Sequence, residues 1–175
     1  MGRKSKSELN KVIDVIEDMV KHNQDILKLL SSDNAKTDIY NLPDYTSPKK
    51  IQDIVDEKMF NYKKEFDNNT MCCYMVMSYG RKLYHQTKNI YFDGNTFYFY
   101  ILCHTDIIDN DLSGNRVNEI EHAIVQMFNG RILPNYGVRC KVVNSGEIQV
   151  KSTKYEGRVV AMEFVSESTG GVNPW

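Results

Sequence analysis

With 175 residues, 41% of them apolar and 26% charged, and a net charge of −1, the chain has the make-up of one globular domain with its own core. The near-neutral balance argues against a nucleic-acid surface, and no apolar run approaches the roughly 20 residues of a bilayer span. The basic start MGRKSKSELN runs into an amphipathic pattern, not an apolar stretch with a cleavage site. No secretory leader is therefore expected, and Lys6 stands where a myristoylation signal needs Ser or Thr.

The first element is a helix over Ser7–Leu30. Ser5 and Glu8 have the spacing of a capping box, with Ser7 as a rival cap. Leu9, Val12, Ile16, Met19, Ile26 and Leu30 recur at three and four, Asn23 breaks the row, and Ile13, Val20 and Leu27 widen the stripe. A helix of that length spans about 36 Å, more than a compact domain of this size needs. It either crosses a whole sheet or offers part of its stripe to another chain, so a dimeric adaptor is one reading. Residues 31–50 are polar, with Pro43 and Pro48 fixing turn geometry and Ile39, Tyr40, Leu42 and Tyr45 as anchors. A short helix follows from Pro48 to Met59, its apolar face made by Ile51, Ile54, Val55 and Met59.

Asn61–Thr70 reads as a charged loop. Met71–Tyr79 is a strand apolar on both faces, as a covered central strand would be. Gly80–Lys88 reads as a polar excursion, Asn89–Phe92 as a short strand and Asp93-Gly94-Asn95 as a hairpin turn. On the strand Phe97–His104, alternation puts Phe97, Phe99, Ile101 and Cys103 on one face. Tyr98, Tyr100, Leu102 and His104 lie on the other. An acidic turn with Asp106, Asp109 and Asp111 leads into a helix over Asn115–Phe128. Val117, Ile120, Ile124, Met127 and Phe128 share a face of it; Asn115 or Ser113 caps it and Asn129-Gly130 ends it. Strands follow at Gly137–Asn144 and Lys154–Ser166, with a short one at Glu147–Lys151 between them. The expected fold is α+β, a mixed or antiparallel sheet packed by the long N-terminal helix and the helix at 115–128. Residues 1–32 form the first helix, 33–166 a single domain continuous with it, and 167–175 a loose tail ending in Trp175.

The chemistry that announces an enzyme is sparse. Cys72, Cys73, Cys103 and Cys140 lie in strand surroundings without CxxC spacing and read as small core hydrophobes. His104-x-Asp106 and Glu119-x-x-His122 are the candidate metal or ligand site of an enzyme reading. Glu119 and His122, however, lie opposite the apolar stripe, where a solvated face explains them. The three aspartates lack the glycine and closing glutamate of a calcium loop, so a turn and helix-start role is preferred. Arg116 opposes the helix dipole in a first turn, which favours a specific partner for it, Asp106 or Asp111 or a neighbour's acidic loop. No metal, cofactor or catalytic set is expected.

The run FYFYILCHTDIIDNDLSGNRVNEIEHAIVQMFNG resembles a pattern in small phage proteins of the tail-terminator, tail-completion and head–tail joining group. A strand ending in a His-x-Asp step (His104, Asp106) meets an acidic turn. A Gly-x-Arg step (Gly114, Arg116) and a helix with Ile120 and Ile124 follow, closing on Asn129-Gly130. The segment YNLPDYTSPKKIQDIVDEKMFNYKKEF and the closing strand YEGRVVAMEFV extend the likeness over about residues 38–166. The resemblance implies a non-enzymatic virion protein of the tail or neck, made in the host cytoplasm. It implies a ring, commonly hexameric, that joins the tail tube to neck or portal-side proteins. No membrane is involved, and nucleic acid only passes through the lumen. Asp106, Asp111, Arg116, Arg81, Lys82, Lys63, Lys64 and Trp175 are then the candidate contacts with neighbours.

Overall fold

A computed structural model describes residues 8–61, 69–86, 89–110, 114–133, 136–150 and 153–166. The chain begins with α1 (Glu8–Lys21), α2 (Gln24–Ser31) and α3 (Pro48–Lys58), then β1 (Met59–Phe60), β2 (Cys73–Gln86) and β3 (Asn89–His104). One turn of helix, α4 (Thr105–Ile108), and the two-residue strands β4 (Asp109–Asn110) and β5 (Gly114–Asn115) lead into α5 (Arg116–Phe128). β6 (Ile132–Leu133), β7 (Val138–Gln149) and β8 (Tyr155–Ser166) complete it. Six strands form one curled sheet in the order β1-β2-β3-β8-β7-β6, antiparallel except for β1 beside β2. The fold is α+β with a mixed sheet, as the sequence pattern implies.

The single long helix does not form. Asn23 takes extended backbone angles and its side-chain oxygen accepts from Ile26 N at 3.0 Å, so it caps a second helix. The residue that interrupts the apolar row is thus the one that restarts the helix. The break lets both stripes turn inward: Val12, Ile16 and Val20 of α1 and Ile26, Leu27, Leu29 and Leu30 of α2 are all buried in one core. The loop after α2 is fastened to the helices. Gln24 bonds both backbone groups of Tyr45, Tyr45 Oη meets Ser31 Oγ at 2.8 Å, Lys28 pairs with Asp44 at 2.6 Å and Lys58 with Asp33 at 3.0 Å.

The alternating faces of β3 come out as the pattern predicts. Phe97, Phe99, Ile101 and Cys103 are buried against the helices, with Phe99 stacked on Phe128 of α5 at 5.9 Å between centroids. Asn115 caps α5 by accepting from Asn118 N, and Gly130 follows with φ 77°, a left-handed step that suits glycine. The two short strands expected around residue 146 are one. β7 runs through both, and a bulge between Val142 and Asn144 resets its faces. Gly157 allows β8 to press against β3: a Cβ there would lie 1.8 Å from Ile101 O.

The largest departure lies at residues 80–95. These are neither a polar excursion nor a turn at 93–95, because β2 and β3 continue through them, paired from Arg81↔Asn95 to Gln86↔Asn89. A register shift between Arg81 and Leu83 absorbs the mismatch. β8 pairs with β3 only over 96–104. Beyond Thr96 the two strands therefore form a ribbon of their own, projecting past the sheet.

Candidate assembly site

Two features stand out, the projecting ribbon and the sheet face on which no helix packs among the described residues. The ribbon spans Arg81–Gln86 and Asn89–Asn95, and among the described residues each of its strands pairs only with the other. In sequence it is basic and aromatic, with Arg81, Lys82, His85, Tyr84, Tyr91 and Phe92 against a single acid, Asp93. Arg81 and Lys82 thus belong to a strand arm rather than to a loop. Lys63, Lys64, Asp111 and Trp175 lie outside the described residues, as does the expected loose tail at 167–175.

The second feature is built on the strand face opposite the helices. Phe60, Cys72, Tyr74, Val76, Leu102 and Tyr155 cluster there, with Tyr100, Ile148 and Val150 packed beside them, and no helix residue joins them among the described residues. The cluster is knit by edge-on aromatic contacts, Phe60–Tyr74 at 6.2 Å and Tyr74–Tyr155 at 5.5 Å. Tyr155 Oη donates to the carbonyl of Thr70 and lies 3.4 Å from Cys72 Sγ; burial first, and then that thiol, push the phenol's pKa up. Toward the ribbon the face continues as half-buried Tyr98 and Tyr100, stacked at 6.1 Å. The Tyr98 ring lies across Gly80, where an added Cβ would sit 3.3 Å from it. An aromatic face thus runs from the sheet centre to the root of the arm.

The residues of the enzyme reading are placed otherwise. His104 is 1% exposed, its Nδ1 accepts from Asp106 N at 3.2 Å as the cap of α4, and its ring stands edge-on to Tyr155 at 5.5 Å. Asp106 is exposed, 3.7 Å from His104 and 3.9 Å from Lys154. Glu119 turns to another element and accepts from Tyr40 Oη at 2.8 Å. Desolvation first, and then this bond, push the Tyr40 phenol up to about 12. His122 bonds Gln126 on the same helix face. Among the described residues, no group of three or more His, Cys, Asp or Glu is placed to hold a metal ion.

Arg116 corrects the expectation of a neighbour contact. It is 0% exposed, and among the described residues its partners are backbone carbonyls rather than Asp106; Asp111 lies outside the described residues. Its Nη1 donates to the carbonyls of Leu29 (3.4 Å) and Ser32, and its Nη2 to that of Asn34 (2.8 Å). These acceptors gather at the C-terminus of α2, where the helix dipole is negative. The unfavourable charge at the start of α5 is thereby a favourable one at the end of α2.

A polar network unforeseen in the sequence ties α5 to β7 and β8. Glu121 accepts from Ser145 Oγ and pairs with Arg158, and Arg158 reaches Ser145 at 3.3 Å and Glu147 at 3.9 Å. Its signal was the lone Arg158 among apolar neighbours on β8, whose partner only the sheet register supplies.

Among the described residues, no helix is long and apolar enough to cross a membrane. The model of a family described as YomW matches residues 23–164. No curated protein and no solved structure matches the chain.

Proposed function

The chain belongs to the YomW family, a phage-derived family, and from that premise we propose that it is a structural virion protein that assembles as a ring at the end of the tail or between tail and head. The observation that carries this reading is the projecting ribbon of β2 and β3. A two-stranded ribbon has no core of its own and is at best marginally stable alone in water. A sheet that builds one out gains a handle for another surface. The helix-free aromatic face at the root of the ribbon supports the same reading, since aromatic side chains are enriched where proteins meet. The sheet edges agree as well. β1 and β6 are only two residues long, so most of the outer edges of β2 and β7 meet no further strand among the described residues.

In this reading the partners are further copies of the chain, in a hexamer or larger ring, together with the tail tube and neck proteins. DNA passes through the lumen without being read, and the protein acts by surface complementarity, not catalysis. The resemblance around His104 to Gly130 supports the tail-terminator or neck position. The stripe that suggested a dimeric adaptor is occupied within the chain's own core.

The test is replacement of residues 82–94 by a two-residue turn. Light scattering and negative-stain microscopy should show rings for the full chain and monomers for the shortened one, with the same circular dichroism. Mass spectrometry of purified virions should find the full chain and not the shortened one. Absence of the full chain from virions would overturn the proposal.

A further inference from the structure

Cys73 and Cys103 lie directly opposite each other on β2 and β3. The phase of the ladder at this point is fixed by His104 N, which donates to Cys72 O at 3.1 Å. That makes 72 and 104 a hydrogen-bonded pair, so 73 and 103 are the non-hydrogen-bonded pair beside it. In such pairs the Cα atoms approach to about 4.5 Å. A disulfide spans Cα separations of roughly 4.4–6.8 Å, so the backbone already has the spacing a bridge needs. Both side chains face the helix-covered core at 0% exposure. The neighbouring Cys103 thiol first, and burial second, push Cys73 well up, while the Arg116 guanidinium acts in the opposite sense. The other two cysteines are placed elsewhere. Cys72 lies on the opposite face beside Tyr155, and Cys140 lies on β7 across from Phe164.

We propose that Cys73 and Cys103 are a paired oxidation site that closes to a cross-strand disulfide when hydrogen peroxide reaches the core. The inference does not depend on the ring reading. Access comes with local opening of the helices over the sheet, since the thiols are sealed when the core is closed. Once the core opens, the burial that suppresses ionisation is relieved, Cys73 gives its proton to water, and its thiolate attacks one peroxide oxygen. The O–O bond breaks, the departing hydroxide takes a proton to become water, and Cys73 becomes a sulfenic acid. The Cys103 sulfur then attacks Sγ of Cys73. The S–S bond forms, the S–O bond breaks, and the hydroxyl leaves as water with the Cys103 proton. Two thiols and one peroxide give one disulfide and two waters. The closed bridge staples β2 to β3 at the end opposite the projecting ribbon, in register with the existing ladder.

The full-length protein is treated with hydrogen peroxide, then denatured, alkylated with iodoacetamide and mapped by mass spectrometry. Exposed Met71, at 51%, serves as the internal dosimeter. By the time Met71 is oxidised, the label count should fall from four cysteines to two, and a linked peptide should join Cys73 to Cys103. A thiol reductant should restore all four. The Cys72→Ala/Cys140→Ala variant should form the same link, and its melting temperature should rise by roughly 5–10 °C on oxidation. Cys103→Ser should stop at a sulfenic acid that dimedone traps on Cys73. Four labels after Met71 is fully oxidised, a link through Cys72 or Cys140, or an unchanged melting temperature in the linked protein would each overturn the proposal. If Cys103→Ser does not fold, the Cys72→Ala/Cys140→Ala variant decides alone.

Discussion

Replacement of Arg116 tests the account of how α2 and α5 are held together. The side chain is 0% exposed and donates to the carbonyls of Leu29, Ser32 and Asn34, while its Nε has no partner among the described residues. Truncation to alanine strands acceptors at the end of α2, each worth about 1–3 kcal/mol when buried. It also leaves a void where the side chain stood. Against this, the protein no longer has to desolvate a cation, a cost of several kcal/mol in its own right. The stranded carbonyls and the void outweigh the relieved desolvation and leave a net loss of about 3–5 kcal/mol. For a chain of this length that lowers the melting temperature by roughly 6–20 °C. Two further variants separate charge from volume. Arg116→Met fills the space but leaves the carbonyls without donors, so it should still cost about 2–3 kcal/mol. Arg116→Lys supplies one ammonium to fewer carbonyls and should fall about 1–2 kcal/mol short of wild type. Urea unfolding followed by circular dichroism, with m unchanged, gives all three values. A wild-type midpoint for Arg116→Met would refute the reasoning, since it would show that the side chain matters only as filler.

Three other outcomes follow from the packing. Ile124→Asp places an unpaired carboxylate at a position of 0% exposure between α5 and the sheet and should abolish folding; soluble protein with native circular dichroism would contradict the placement of that face. Gly157→Ala forces a methyl group to within 1.8 Å of the Ile101 carbonyl, which is backbone and cannot swing aside. It should cost about 3 kcal/mol or more, read from the urea midpoint, and a neutral result would mean β3 and β8 are not so closely apposed. Tyr40 is raised in the folded state to about 12 by desolvation and by its bond to Glu119. A group raised on folding contributes stability that is complete below its unfolded value near 10 and fades as pH climbs to about 12. Stability measured from pH 9 to 12 should therefore fall less in Tyr40→Phe than in wild type, and parallel curves would show that the phenol is not coupled to folding.

The parts of the fold legible in the sequence are those governed by one period. The alternation along Phe97–His104 names the buried face of β3 residue by residue, and α5 has its cap, stripe and stop where Asn115, Ile120, Ile124 and Gly130 put them. What was illegible depends on a partner distant in the chain. Asn23 looks like a blemish in one helix until its side chain is seen to cap the next. Asp93-Gly94-Asn95 has the composition of a hairpin turn, yet the strand runs on past it, and Asp93-Gly94 sit at the bulge opposite Lys82 instead of forming a turn. Arg116 gave a correct signal with the wrong partner: the dipole argument called for a compensating negative charge, and the compensation comes from backbone carbonyls of α2, more than 80 residues earlier.

That last case bears on where assembly surfaces are to be sought. Charged residues near a turn suggested contacts with a neighbour; of the residues named for such contacts, Arg116 is consumed by the core, while the Asp106 side chain stands exposed beside the start of α4. Among the described residues, the ribbon and the aromatic face at its root offer another chain backbone and aromatic groups as well. A ribbon whose strands pair only with each other among the described residues presents main-chain donors and acceptors along its edges, and Tyr98 and Tyr100 stand half-buried at its root. Affinity from main-chain pairing, with specificity from alternate side chains, is how an added strand is recognised. It leaves little trace in a charge pattern. Charge reversals at Arg81 and Lys82 should accordingly weaken assembly less than loss of the ribbon itself, and sedimentation of Arg81→Glu/Lys82→Glu beside the ribbon-replaced chain would show which of the two carries the contact. Monomers from the charge-reversed chain, with the ribbon intact, would return the contact to the basic side chains.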